Sequence, residues 1–280
     1  MARRETVVRP MRWLVVLILL PALFVFFSGC GRGERTHSIT VAGSTSVQPF
    51  AEVLAEEFSK SHPLLAIDVQ GGGSSAGIQA ATAGAAEIGM SSRDLKKDET
   101  AVKGILIARD AIAVVVNPSN PVSAIDLSGL MRVYTGEITS WKQLGWIDKP
   151  VTVISREEGS GTRGAFDEAV MQKRGVWPGC IFQDSNGSVR QTVAQDRFAI
   201  GYISLGLVND SMKALGLDGI LPTFESASSG KYPLVRPFLF VVKSEPQGLA
   251  REFIDYVLSP AGQKILQEEG LIPANAGKAR

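Results

Sequence analysis

From residue 38 onward, apolar positions recur along the chain in two alternating spacings, one of period two and one of period close to four. Ser38-Ile39-Thr40-Val41-Ala42 reads as a strand. Beyond it Phe50, Val53, Leu54 and Phe58 share one helical face, opposite Glu52, Glu56, Glu57 and Lys60. Pro49 fits the first turn of that helix, where no N–H is required. The join between strand and helix is Gly43-Ser44-Thr45-Ser46. The same order returns where Leu65, Ile67 and Val69 alternate, Gly71-Gly72-Gly73-Ser74-Ser75 follows, and a small-residue helix surrounds Ile78. It returns again where Val151, Val153 and Ile154 lead through Arg156-Glu157-Glu158-Gly159-Ser160-Gly161-Thr162-Arg163 into a helix carrying Phe166, Ala169 and Val170.

The intervening segments fit the same scheme. A short strand over 88–90 runs into Ser91-Ser92-Arg93-Asp94, and 105–107 and 111–116 are strand-like. Asn117-Pro118-Ser119-Asn120-Pro121 then breaks the pattern, as at a crossing between domains. A short helix is expected over 127–134, with Trp141, Leu144 and Trp146 as packing residues beyond it. Ser185-Asn186-Gly187-Ser188 opens a helix, 198–203 is a strand, and 226–230 is a loop rich in Ser and Gly. A near-continuous apolar strand over 238–242 implies a sheet covered on both faces, and helices over 247–258 and 261–269 end the pattern. Alternating strands and helices predict an α/β fold with mainly parallel sheets, in which ligands bind beyond the carboxyl ends of the strands. The hydroxyl-rich loops lie there.

The N-terminus departs from this scheme. Arg3, Arg4, Arg9 and Arg12 precede an apolar run over 13–27, and Ser28-Gly29-Cys30 follows. A basic start, an apolar run too short for a confident membrane span and small residues before a cleavage point make a secretory signal. Cys30 after Ser-Gly is similar to a bacterial lipobox, which would make it the lipidated first residue of the mature protein. The alternative is an uncleaved membrane anchor; in both cases the body lies outside the cytoplasm. Residues 1–29 are then a leader and 30–37 a polar tether.

The 280 residues carry a formal charge of +1, and losing four Arg and one Glu with the leader leaves −2. Such a balance argues against nucleic acid, and an anion would have to be held by local donors. Cys180 is the one thiol left in the mature chain, so no intrachain disulfide can form, and it reads as a small buried hydrophobe.

The loop over 156–163 carries the chemistry. A Gly-Ser-Gly-Thr turn opening a helix offers free backbone N–H groups, the Ser160 and Thr162 hydroxyls and the positive end of the helix dipole, and Arg156 adds a planar fork of donors. Together these would hold an anion; the alternative is an ordinary helix capped by Ser160. An exported serine hydrolase is disfavoured. Glu158-Gly159-Ser160-Gly161-Thr162 lacks the first glycine of a nucleophile elbow, and the chain has only His37 and His62 to serve as a base. No Cys or His cluster offers a metal site, and no Walker loop is present.

Gly43-Ser44-Thr45-Ser46, Gly73-Ser74-Ser75, Ser91-Ser92-Arg93, the 156–162 loop and Ala199-Ile200-Gly201-Tyr202 together resemble the phosphate-binding lipoproteins of bacterial phosphate ABC transporters, from about Ser38 to Ala274. The resemblance implies a type II periplasmic-binding-protein fold of two α/β lobes around a ligand cleft. One lobe would be 38–116 plus 235–276 and the other 117–234, with crossings near Val116-Asn117 and Leu234-Val235. It implies Thr45, Ser46, Ser75 and Ser92 as ligands from the first lobe and Arg156, Ser160, Gly161 and Thr162 from the second, with Ser44 and Ser74 as further candidates. Many members carry an aspartate where Ser92 stands, so the group that reads a proton on phosphate is open. Arg93 either supplies charge or supports its loop. The implied function is capture of inorganic phosphate and delivery to a membrane permease driven by an ATPase, by a monomer anchored through lipid on Cys30. No enzymatic step, cofactor or metal is expected. A receptor for sulfate or molybdate is the alternative.

Overall fold

The structure, a computed structural model, describes residues 37–172 and 174–276. The leader, Cys30 and the tether up to residue 36 lie outside the described residues. In chain order the first part comprises β1 (His37–Gly43), α1 (Gln48–Ser61), β2 (Leu65–Gly71), α2 (Ser74–Ala83), β3 (Ile88–Ser91) and β4 (Lys103–Val116). The middle part comprises β5 (Ala124–Ile125), α3 (Leu127–Tyr134), β6 (Thr152–Arg156), α4 (Gly161–Phe166), β7 (Ile181–Gln183), α5 (Asn186–Gln195), β8 (Ala199–Ser204), β9 (Lys213–Ala214), β10 (Gly216–Leu217) and α6 (Phe224–Ser228). The last part comprises β11 (Val235–Val242), α7 (Gly248–Leu258), α8 (Pro260–Glu268) and β12 (Ile272–Pro273).

The main sheet runs β2-β1-β3-β11-β4-β8-β6-β7. β1 pairs in parallel with β2 and β3, and β6 pairs in parallel with β7 and β8. β11 and β4 are antiparallel to their neighbours and to each other, and they join the two parallel sets. The parallel strands of the main sheet thus fall in two groups, as the resemblance implies, and every antiparallel strand pair involves β4 or β11. The stretches 105–107 and 111–116 belong to one continuous strand.

Two large cores flank this junction. Ile39, Val41, Phe50, Leu54, Phe58, Phe240 and Phe253 pack in one; Leu130, Tyr134, Trp141, Val153, Phe166 and Tyr202 pack in the other. Smaller clusters cover the opposite sheet faces, with Ile78, Leu239 and Val241 in one and Ile154, Val189 and Ile203 in the other. Both faces are covered, so strands such as 238–242 can be apolar throughout. Along β4, Ile107 and Ala108 belong to the first core, whereas Ala111, Ile112 and Val114 belong to the second. The chain therefore passes between cores near Asp110, upstream of the Val116-Asn117 position expected from composition. The strand stays regular through the passage, and this hides it from pattern reading. A register shift between Phe238 and Leu239 marks the same zone on β11.

Local chemistry explains the short elements. Ser160 caps α4 by accepting from Arg163 N at 3.2 Å, and five residues of π-helix continue it to Met171. The loop expected over 226–230 contains α6, which starts where Thr223 accepts from Ser226 N and the Ser226 side chain accepts from Thr223 N, a reciprocal cap.

Candidate functional site

The loops after β1, β2, β3, β6 and β7 meet at one end of the sheet. Arg156 ends β6 and is 1% exposed. Its Nε donates to Glu157 Oε2 and to the Gln183 carbonyl, both at 3.1 Å. Its Nη2 donates to Glu157 Oε1 at 3.1 Å, to the Asp184 carbonyl at 3.0 Å and to Thr45 Oγ1 at 3.3 Å. Nη1 is buried without a protein partner. A buried guanidinium is stable only when its charge and donors are matched, so an unmatched end marks a place where an acceptor is favoured.

Ser46, in the loop after β1, is the hub of the hydroxyls. Its Oγ accepts from Asn186 Nδ2 at 2.8 Å and from Arg236 Nη2 at 3.1 Å. Both lone pairs are then used, and its hydrogen goes to Thr162 Oγ1 at 2.8 Å. Thr162 is thereby left with its own hydrogen to give. Asn186 Nδ2 also reaches Thr45 Oγ1 at 3.3 Å, which bridges the two neighbouring hydroxyls.

A second hydroxyl group adjoins the first. Ser44 Oγ donates to Ser92 Oγ at 2.9 Å, Ser74 Oγ lies 3.3 Å from the same atom, and Ser92 N donates to Ser74 Oγ at 3.0 Å. Gly161 faces this group so closely that a Cβ there would sit 2.2 Å from Ser74 Oγ and 2.5 Å from Ser92 Oγ. Ser44, Ser46, Ser74, Ser92, Ser160 and Thr162 are all buried. Across the same seam Ser75 N donates to the Gly159 carbonyl at 3.1 Å. Gly73, at φ 89°, would bring a Cβ within 3.2 Å of that carbonyl.

The sequence-predicted residues are thus drawn together, with differences of role. Ser160 Oγ accepts the α4 cap bond from Arg163 N, which leaves its own hydrogen to give. Arg93 is held at both Nη atoms by Glu99, at 2.9 and 2.7 Å, with a further bond to the Asp94 carbonyl and one to Ser75 Oγ at 3.4 Å. In this arrangement its donors serve the loop. The bond from Arg93 holds the Glu99 carboxyl below its ordinary range. The Asp94 side chain is exposed. Tyr202, from the Ala-Ile-Gly-Tyr motif, stacks on Phe166 at 4.0 Å and shares a 3.0 Å hydrogen bond with Ser155 Oγ, so it supports β6 from behind.

Sequence reasoning missed Arg236, Asp110, Asn186 and Ser204. Arg236, 3% exposed, places Nε and Nη2 on Asp110 Oδ2 at 3.0 and 2.9 Å, and Ser204 Oγ donates to Asp110 Oδ1 at 2.8 Å. Burial raises the Asp110 carboxyl, and the Arg236 charge opposes that rise. The available signal was an Arg and an Asp each interrupting an apolar strand, a pattern that charged residues on a covered sheet produce when they are paired. Among the described residues no group of three His, Cys, Asp or Glu could hold a metal, and no helix is long and apolar enough to cross a membrane.

Comparison with known proteins gives a consistent set. A family model described as a PBP superfamily domain matches residues 31–261. The phosphate-binding protein PstS of Bacillus subtilis is 32% identical over 93% of each chain. A phosphate ABC transporter substrate-binding protein of Clostridium perfringens, solved with bound phosphate, superposes with a TM-score of 0.82 at 42% identity over 85% of this chain and 100% of that one. An ABC-type phosphate transport receptor of Vibrio cholerae gives 0.70 at 36% identity, over 84% of this chain and 99% of that one.

Proposed function

Because the chain belongs to the PBP superfamily, among the substrate-binding proteins of phosphate ABC transporters, we propose that it captures inorganic phosphate between its lobes and hands it to a membrane permease driven by an ATPase. The observation that carries this reading is the Arg156 fork, buried with Nη1 unmatched beside Thr45, Ser46 and Thr162. Arg156, Ser160, Gly161 and Thr162 contact the anion from one lobe, with Ser160 also capping their helix. Thr45, Ser46, Ser75 and Ser92 act from the other, backed by Ser44 and Ser74. By the packing of β4 and β11, the lobes are about 38–110 with 236–276 and about 111–235, and they exchange chain near Asp110 and Arg236. The protein works outside the cytoplasm as a monomer held to a bacterial membrane by lipid on Cys30. Hydrolysis has no support from the geometry, since no histidine is bonded to Ser160 among the described residues and His62 stacks on Phe58 at 4.1 Å.

Another tetrahedral oxyanion, sulfate or molybdate, is a second reading, favoured by the serine in place of a carboxylate at position 92. Calorimetric titration of anion-stripped protein with phosphate, sulfate, arsenate and molybdate decides between them, phosphate being expected to bind most tightly. Arg156→Ala should weaken phosphate by roughly 2–4 kcal/mol, as when one partner of a buried charge pair is removed. Binding by that variant within threefold of the parent would refute the assignment of Arg156.

A further inference from the structure

Arg156 and Arg236 repeat one arrangement. In each, a carboxylate holds the Nε–Nη2 side of the guanidinium, Glu157 for Arg156 and Asp110 for Arg236. In each, Nη2 also donates to a hydroxyl of the loop after β1, Thr45 for one and Ser46 for the other. In each, Nη1 is buried and has no protein partner. The two guanidiniums are neighbours: the single Asn186 Nδ2 touches both hydroxyls, at 3.3 and 2.8 Å, and the Arg156 charge acts on Arg236. We propose that Arg236 is a second charged ligand of the anion, and that with Arg156 it makes the site select the dianionic form. This rests on the phosphate reading above.

An ion pair serving only to join β4 and β11 would have no need of that free end. Asp110 spends one oxygen on both Nε and Nη2 and the other on Ser204, so no acceptor from Asp110 reaches Nη1. A donor left unmatched in a dry site is costly, and an anion oxygen removes that cost. Each carboxylate occupies the Nε–Nη2 edge and makes no bond to Nη1, so the Nη1 end is the part of each guanidinium left for an anion. The charged and titratable groups facing the Arg236 guanidinium are Asp110 on β4, Arg156 on β6 and Tyr202 on β8, with Glu157 beyond Arg156. Tyr202 is pushed above the usual phenol range by burial and stays neutral. Thr162 keeps its own hydrogen to give, Ser92 Oγ accepts from Ser44, and a hydroxyl can donate as readily as accept. Two positive ends and turnable hydroxyls favour the form of phosphate with more charge.

Inorganic phosphate loses its second proton near neutral pH, so the test is calorimetry with phosphate on anion-stripped protein at about pH 6 and about pH 8. Arg236→Lys keeps a charge for Asp110 but loses the planar fork. Arg236→Gln combined with Asp110→Asn replaces the pair by neutral polar side chains and leaves no buried charge alone. The parent should gain about tenfold in affinity between the two pH values. Arg236→Lys should bind phosphate at least about tenfold more weakly, with the ligand-free protein still unfolding cooperatively. The double variant should lose about a hundredfold at the higher pH, and its gain with pH should shrink below about threefold. If the double variant fails to fold, Arg236→Lys decides alone. Affinity within threefold of the parent, or a loss that leaves the pH gain intact, would make Arg236 a strand-joining residue only. A parent that binds no phosphate at either pH would instead overturn the phosphate reading.

Discussion

At position 92 an uncharged hydroxyl stands in a group of three buried serines. Ser92 Oγ accepts from Ser44 Oγ at 2.9 Å, and Ser74 Oγ lies 3.3 Å away. The family resemblance places an aspartate here in many members, where it accepts the hydrogen that phosphate keeps near neutral pH. A hydroxyl can turn and donate to an oxygen that has no hydrogen, so it separates phosphate from sulfate less firmly than a carboxylate. Sites built to pair a ligand hydrogen can reject the analogue lacking it by about 10⁴-fold. Ser92→Asp is therefore expected to widen the preference for phosphate over sulfate by at least about tenfold. Competition calorimetry at one pH measures this directly. Equal sulfate rejection in the two proteins would show that another group already reads the proton.

At the level of elements, the strands and the turn before α4 were legible because their signals are local. Alternation defines β1 and β2, and the Gly-Ser-Gly-Thr turn announces the start of α4. Arg236 and Asp110 were not legible, because their meaning depends on β11 lying against β4 in a register that sets Arg236 opposite Asp110. No spacing along the chain encodes that pairing across more than a hundred intervening residues. Asn186 was seen as part of a turn, but its reach to Ser46 depends on the two lobes meeting. The helix α4 shows how elements hold the site. It is one and a half turns of α-helix, and Phe166 anchors it between Tyr134 at 4.8 Å and Tyr202 at 4.0 Å. Phe166→Ala should cost about 3–5 kcal/mol of stability and also weaken phosphate, because α4 carries Gly161 and Thr162. Phe253→Ala, as deeply buried in the first core, should cost a similar amount and leave affinity unchanged. Denaturant unfolding and calorimetry on both variants test the contrast, and equal effects on binding would remove the positioning role of Phe166.

Across the whole molecule, the two cores face each other through polar contacts. Ser46 with Thr162, Arg156 with Thr45, Asn186 with Ser46, and Ser75 N with the Gly159 carbonyl all cross the seam. Hydrogen bonds of this kind exchange with water at little net gain, so they close the seam weakly by themselves. The covalent and sheet connection lies at one side, where β4 and β11 pair side by side between the cores. Such a pair can bend about the zone of Asp110 and the register shift near Phe238 without unpacking either core. An anion that takes donors from Arg156 and Thr162 on one side and from the loop after β1 on the other binds the closed arrangement far better than an open one. It must then shift the population toward closure by that difference in affinity. Small-angle scattering is expected to give a smaller radius of gyration with saturating phosphate than without, and Arg156→Ala should abolish the change at the same phosphate concentration. Identical curves for the parent in both conditions would mean that the lobes stay together unliganded, and phosphate would then have to enter without a hinge.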